Sequence, residues 1–316
     1  MISTDYSFMA RMISNSNYVR DQLAQTQQQI ASGYIADSYG GLGNQARTAL
    51  SLAPAIAHQA AWSKNIDTAQ GRLDITQSAM ASISNIASSM FAQINTYNEG
   101  DPSSVANLAQ QAKAALQQVG NLLNTKAGDV YVFAGQDTSN PPVPDTDPAT
   151  LSAGLLSGTG SQPFSSTLGM TAPTIQVGNG QFVQVGLLAN ANTIASSSAP
   201  TTGSYMRDMM TALAKLAGLG ASGTPASDVG AARTYLSNSI SAMATETGSL
   251  GNIQSSLSQR QTELSSLSLA FTKQLSSAQD VDAAAAISRA ATLQTQLQAS
   301  YQIIAQSQSL SLAKYL

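Results

Sequence analysis

The longest hydrophobic pattern in the chain lies between Trp62 and Tyr97. Apolar side chains recur there at alternating spacings of three and four residues, the repeat of a helix that keeps one seam against a partner. The seam positions are Ile66, Ala69, Leu73, Thr76, Met80, Ile83, Ala87, Met90, Ile94 and Tyr97. Such a helix spans about 50 Å, so its seam requires equally long partner helices.

A second long helix is predicted to start near Ala226 and to supply this partner. We place a slip in its repeat at Gly248 and Gly251, where the spacing of apolar residues shortens. The seam residues of this helix are Leu236, Ile240, Met243, Thr247, Leu250, Ile253, Leu257, Arg260, Leu264, Leu267 and Phe271.

Seam helices at both ends of the chain form a candidate assembly interface. The first helix ends at Gly33, a favourable C-cap, and the last follows Asp282. Burying an apolar side chain is worth about 1.5 to 3 kcal/mol, so we expect neighbouring subunits to cover what one molecule leaves exposed. The predicted interface residues are Val19, Leu23, Ile30, Leu293, Leu297, Tyr301, Ile304, Leu312 and Tyr315.

Shorter elements lie between these helices. Pro54 fits the first turn of a helix, so the long helix is predicted to begin near Ala53. A third amphipathic helix ends near Gly128, and the β-branched and aromatic residues Val130–Phe133 predict a short strand. Helical spacing returns at Tyr205.

Residues 139–200 are rich in Ser, Thr, Gly and Pro and differ in composition from the helical segments on either side. Their prolines exclude long helices. Alternating apolar residues flank Gly178-Asn179-Gly180, which predicts a β-hairpin with a tight turn. We therefore interpret residues 136–200 as a small β-rich insertion.

The predicted fold is mostly α. It is a long antiparallel coiled-coil-like helical bundle formed by the N- and C-terminal segments, with the β-rich insertion as a small domain. In this interpretation a terminal helical domain combines residues 1–45 with residues 280–316. A rod domain of long helices combines residues 46–135 with residues 201–279, and the insertion occupies residues 136–200.

Charged residues are scarce. They make up 10% of the chain, against about 25% in ordinary soluble domains, and the net charge is -3. Without a Lys/Arg cluster we expect no nucleic-acid partner, and without a run of about 18 apolar residues we expect no membrane insertion. There are no cysteines, which excludes disulfides and thiolate metal sites. The N-terminus lacks the pattern of a cleaved signal peptide.

No catalytic, cofactor-binding or metal-binding residues are predicted. Residues 218–223 match G-x-G-x-x-G but follow a helix rather than a strand, so a plain loop is favoured. His58 is the single histidine, and Asp145 and Asp147 fit a solvated loop. The alternative is an enzyme or ligand-binding module in residues 136–200, which would require a pocket with convergent polar groups.

Two short motifs give the chain a family resemblance. Gln29-Ile30-Ala31-Ser32-Gly33 resembles the flagellin element that closes the first terminal helix. Asp280-Val281-Asp282-Ala283-Ala284 resembles the acidic element that opens the last one. Over residues 1–136 and 226–316 the chain resembles the flagellin superfamily. The segments 132–138 and 310–316 resemble its hook-filament junction branch.

The resemblance implies an extracellular structural subunit, exported unfolded by the flagellar type III apparatus, that joins hook to filament. It implies four kinds of partner: copies of the chain in a ring, another hook-associated protein, flagellin neighbours, and an export chaperone on the C-terminal segment. A filament-forming flagellin is the alternative. The arginine that flagellins usually carry after the Ser-Gly pair is absent between Tyr34 and Gly43, which favours the junction branch.

Overall fold

The computed structural model describes the backbone of residues 2–157, 163–165, 171–190, 202–220 and 225–312. Most of these residues are helical. In chain order the elements are α1 (Ile2–Ser32), a 3-10 helix (Tyr39–Gln45), α2 (Ala46–Thr96), α3 (Pro102–Leu123), β1 (Lys126–Ala127), β2 (Val130–Tyr131), α4 (Pro148–Leu156), β3 (Thr174–Gly178), β4 (Gln181–Gln184), α5 (Tyr205–Ala217), α6 (Pro225–Gln279) and α7 (Ala283–Leu312).

The chain divides into two compact units. The terminal unit comprises Met1–Gln59 and Ser266–Leu316, and the middle unit comprises Ala60–Ser265. Helices α2 and α6, which are 51 and 55 residues long, contribute residues to both units. Long helices from both halves of the chain, together with small antiparallel sheets between them, confirm the predicted fold class.

The repeat predicted between Trp62 and Tyr97 is the buried face of α2. Its apolar residues from Ile66 to Ile94 are at most 2% exposed, and they join one core cluster in the middle unit. The cluster includes side chains of α3, α5 and α6. The contribution of α6 recurs every seven residues, at Leu236, Met243, Leu250, Leu257 and Leu264.

The slip predicted in the second long helix is wrong. Helix α6 is continuous through Gly248 and Gly251, and the buried leucines on either side keep the seven-residue spacing. The spacing of apolar residues predicts Thr247 on the seam, but Thr247 is exposed and Glu246 is buried in its place. A carboxylate is rarely buried without a partner, so the spacing of apolar residues alone could not identify it.

The prediction that the first long helix begins near Ala53 is also wrong. Helix α2 begins at Ala46, and Pro54 lies inside it. Proline cannot donate a hydrogen bond to the carbonyl group four residues earlier, which belongs to Leu50. Leu50 is 55% exposed, and the helix continues past Pro54 to Thr96.

The strand predicted at Val130–Phe133 is confirmed only for its first two residues. These form β2, which pairs antiparallel with β1. The predicted hairpin is confirmed as β3 and β4, with Gly180 at a φ of 69° in the turn. Helix α4 was not predicted; Asp147 caps its N-terminus and Pro148 stands at its first position.

Hydrogen bonds connect the β3–β4 hairpin to the long helices of the middle unit. Asn65 on α2 donates its side-chain amide to the carbonyl oxygen of Gln176 at 3.2 Å. Arg260 on α6 donates Nε to the carbonyl oxygen of Val177 at 3.1 Å. The spacing predicts Arg260 on the helical seam, whereas in the structure its guanidinium group binds the hairpin.

Neutral amides connect α2 to α6 in the middle unit. Their side chains form hydrogen bonds of 2.5 to 3.1 Å between the two helices, including Gln70 to Ser258, Gln77 to Gln254, Gln254 to Asp74 and Gln261 to Ser63. These bonds explain how a chain with few charges joins long helices: amide groups perform the role that ion pairs perform in other coiled coils.

Candidate assembly interface

Helices α1 and α7 pair in the terminal unit and cover the predicted interface only in part. Leu293 is 6% exposed, whereas Tyr301 is 52% exposed. Leu312 lies in α7, but its side chain and the whole of Tyr315 lie outside the described residues. The half-buried members of the predicted interface are Val19, Leu23, Ile30, Leu297 and Ile304.

Large apolar and aromatic side chains are exposed mainly in the terminal unit. Of the thirteen found among the described residues, eleven belong to this unit, although it is the smaller of the two. They are Ile13, Tyr18, Tyr34, Ile35, Tyr39, Leu50, Leu267, Leu269, Ile287, Tyr301 and Ile303. Such a concentration of apolar surface is typical of a region that binds another protein.

Two of these side chains flank the seam of α7. At about 100° per residue, Tyr301 and Ile303 lie about 80° to either side of Leu293 around the helix axis. Both are about half exposed, at 52% and 49%. The three-and-four spacing of the seam does not include Ile303, so this spacing does not identify it. The only indication in the sequence is an apolar residue on a predominantly polar helix face.

The two motifs that resemble flagellin elements meet in the terminal unit. The amide of Val281 donates to the carbonyl oxygen of Gly33 at 2.9 Å, and the amide of Ile35 donates to that of Gln279 at 2.8 Å. We call this pair of bonds the clasp. Gly33 has a φ of 79°, and its amide bonds the carbonyl oxygen of Gln29, which confirms the predicted C-cap.

Asp282 connects the clasp to α7. Its carboxylate oxygen accepts hydrogen bonds from the amides of Ala284 at 3.0 Å and Ala285 at 3.1 Å, as an N-cap does. We expect Asp282→Ala to destabilise this helix end by about 1 kcal/mol, whereas Asp282→Asn should retain most of the cap. Amide hydrogen exchange in the first turn of α7 measures the effect. Equal protection in the alanine variant and the wild type would contradict the assigned role.

The other candidate sites have structural explanations or lie partly outside the described residues. Asp145 and Asp147 accept hydrogen bonds from backbone amides before and within the first turn of α4. Residues 221–223 of the G-x-G-x-x-G segment are not among those described. In the described part of the chain, no group of three or more His, Asp or Glu side chains could hold a metal ion.

No helix within the described ranges is both long enough and apolar enough to cross a membrane.

Comparisons with known proteins identify the two ends of the chain. The profile of the bacterial flagellin N-terminal helical region matches residues 2–138, and that of the bacterial flagellin C-terminal helical region matches residues 234–316. Together they cover most of the chain and include both halves of the clasp. A comparison with curated proteins finds no match.

The solved structures with a similar fold include a chain assigned as a flagellar hook-associated protein from Vibrio parahaemolyticus, with a TM-score of 0.57 and 13% sequence identity. The similarity covers 73% of the present chain and 96% of that chain. The fold and the two profiles agree, so the chain belongs to the flagellin superfamily, whose members are extracellular structural components of the bacterial flagellum and not enzymes.

Proposed function

We propose that this protein is the adaptor that joins the flagellar hook to the filament. The observation that supports this role is the similarity of fold to a hook-associated protein, which extends over 96% of that chain. At 13% identity this similarity is one of fold, and the two experiments below test the adaptor role.

Assembly through the terminal unit gives this function its mechanism. In this proposal residues 1–45 and 280–316 carry the contacts between subunits, the long helices form the rod, and residues 136–200 form the insertion. Neighbouring copies, another hook-associated protein and flagellin would cover the exposed side chains of α1 and α7. Before export, a chaperone would cover the apolar flanks of α7.

A filament-forming flagellin is the second candidate function, because both matching profiles describe flagellin regions. The two functions differ in how contacts between copies close: a ring of adaptors stops growing, whereas a filament continues. We expect the purified subunit to form no long polymers when its concentration is raised. Electron microscopy of the sample checks this expectation. Long self-assembled filaments would contradict the adaptor and support the second candidate.

Cells that lack the protein provide a second test. We expect bare hooks on these cells and unpolymerised flagellin in the medium, because the filament would have no surface on which to start. Expression of the wild-type chain should restore filaments. Filaments of normal length on hooks of the deletion strain would contradict the adaptor function.

A further inference from the structure

An unpartnered carboxyl group lies in the core of the middle unit. Glu246 is 1% exposed, and neither of its carboxylate oxygens has a hydrogen-bond partner among the described residues. It occupies the seam of α6 between Met243 and Leu250, both at most 1% exposed. An isolated negative charge is strongly unfavourable in such surroundings, so the neutral acid is the form that this site favours.

A second buried polar group of the middle unit is Tyr205, at the first position of α5. Its side chain is fully buried, and its hydroxyl group also lacks a hydrogen-bond partner. Ser239 on α6 donates Oγ to the carbonyl oxygen of Tyr205 at 2.9 Å, which holds the start of α5 against α6. Burial, and then the Glu246 carboxylate, raises the pKa of Tyr205 well above its ordinary value, so the phenol stays neutral.

Within the described part of the chain, no cation of the surrounding elements compensates Glu246. Within α6 it is the only charged residue between Arg233 and Arg260. Two of the neighbouring core helices carry no charge near this site: α2 has no charged residue after Asp74, and α4 has none at all. The remaining charges are engaged or exposed: Lys113 of α3 is exposed, Arg207 bonds Asn190, Asp208 accepts from Thr202, and Lys215 pairs with Asp228.

We propose that the middle unit, when it folds, binds a proton at Glu246 that the unfolded chain does not hold in weakly acidic solution. Acidification therefore favours the folded unit, and a rise toward neutral pH weakens it. This device is independent of the proposed adaptor function. The pH around the subunit would then influence how readily its middle unit unfolds.

The sign of this pH dependence follows from the thermodynamic linkage between proton binding and folding. Burial raises the pKa of Glu246 above its ordinary value of 4.5. Between the ordinary and the raised value, the folded unit holds the proton and the unfolded chain has lost it. Stability therefore falls as pH rises through this window, by up to about tenfold in the folding constant per pH unit, and is constant above it.

The test compares unfolding of the wild-type chain, Glu246→Gln and Glu263→Gln between about pH 4 and pH 8. Trp62 is the only tryptophan and packs against the core of the middle unit, so its fluorescence reports unfolding of that unit. Glu263 is a matched control because it lies on the same helix, is 69% exposed and pairs with Arg260.

We expect the unfolding constants of the wild type and Glu246→Gln to converge in acid. Across the window the wild-type constant should rise relative to the variant by up to about tenfold per pH unit. Glu263→Gln should follow the wild type. Infrared spectra at weakly acidic pH should show a protonated-carboxyl band that Glu246→Gln lacks. The proposal would be overturned if the ratio of the wild-type unfolding constant to that of Glu246→Gln did not change with pH. The absence of this infrared band in the wild type would also overturn it.

Discussion

Replacement of Tyr301 and Ile303 together by aspartate is expected to abolish incorporation of the subunit into the flagellum while the monomer stays folded. Both side chains are about half exposed and flank the seam that faces α1. Because about half of each side chain is already covered in the monomer, burying the rest of the two is worth about 1.5 to 3 kcal/mol in total, so their loss should lower the association constant by roughly 10 to 10². The desolvation of two introduced carboxylates lowers it further.

The matched control places the same charges on the other side of the helix. Thr295→Asp with Gln302→Asp changes two exposed residues of α7 that point away from Leu293. The control should assemble and support motility, and sheared flagella should contain it. Both variants should show the circular dichroism melting of the wild type. Normal incorporation of the Tyr301 and Ile303 variant would show that this surface is not an interface.

The sequence was sufficient to predict the elements whose cause is local or periodic. The seam of α2 is visible because ten positions share one spacing, and burial follows that spacing from Ile66 to Ile94. Gly33 could be assigned because a left-handed residue at a helix end favours glycine. Asp282 could be assigned because its carboxylate precedes a helical repeat, where free amides need an acceptor.

The features that the sequence could not show are of two kinds. Some depend on contacts between distant segments, and others break the usual pattern, as a carboxylate in an apolar core does. The role of Arg260 requires the carbonyl group of Val177, which lies 83 residues away. Glu246 interrupts the apolar seam, and only the folded core shows that it is buried there. The exposed flank residue Ile303 cannot be recognised by periodicity, because a subunit interface that lies beside the seam has no separate repeat.

The segment 132–138, which resembles the junction branch, also has a structural role. Phe133 is fully buried in the middle unit, and its carbonyl oxygen accepts the amide of Ala189 at 3.0 Å. Ala134 pairs with Leu188 in an antiparallel bridge. These contacts join the end of the first helical half of the chain to the segment that follows the β3–β4 hairpin. We infer that the segment holds the insertion against the core.

Truncation of the Phe133 side chain is expected to cause the largest loss of stability among the variants considered. Phe133→Ala should lower the free energy of unfolding of the middle unit by about 3 to 5 kcal/mol, because it removes a large buried ring and leaves a cavity. Denaturant unfolding followed by Trp62 fluorescence measures the loss. The terminal unit has no part in this contact, so protection of the α7 amides from hydrogen exchange should change little.

Phe182→Ala is the matched control because it makes the same chemical change at a side chain that is 64% exposed. It should alter the free energy of unfolding by at most about 0.5 kcal/mol, as surface substitutions usually do. If both variants lose equal stability, burial in the core does not explain the role of Phe133. If Phe182→Ala keeps the wild-type stability but impairs assembly, the exposed hairpin also contacts a neighbouring subunit.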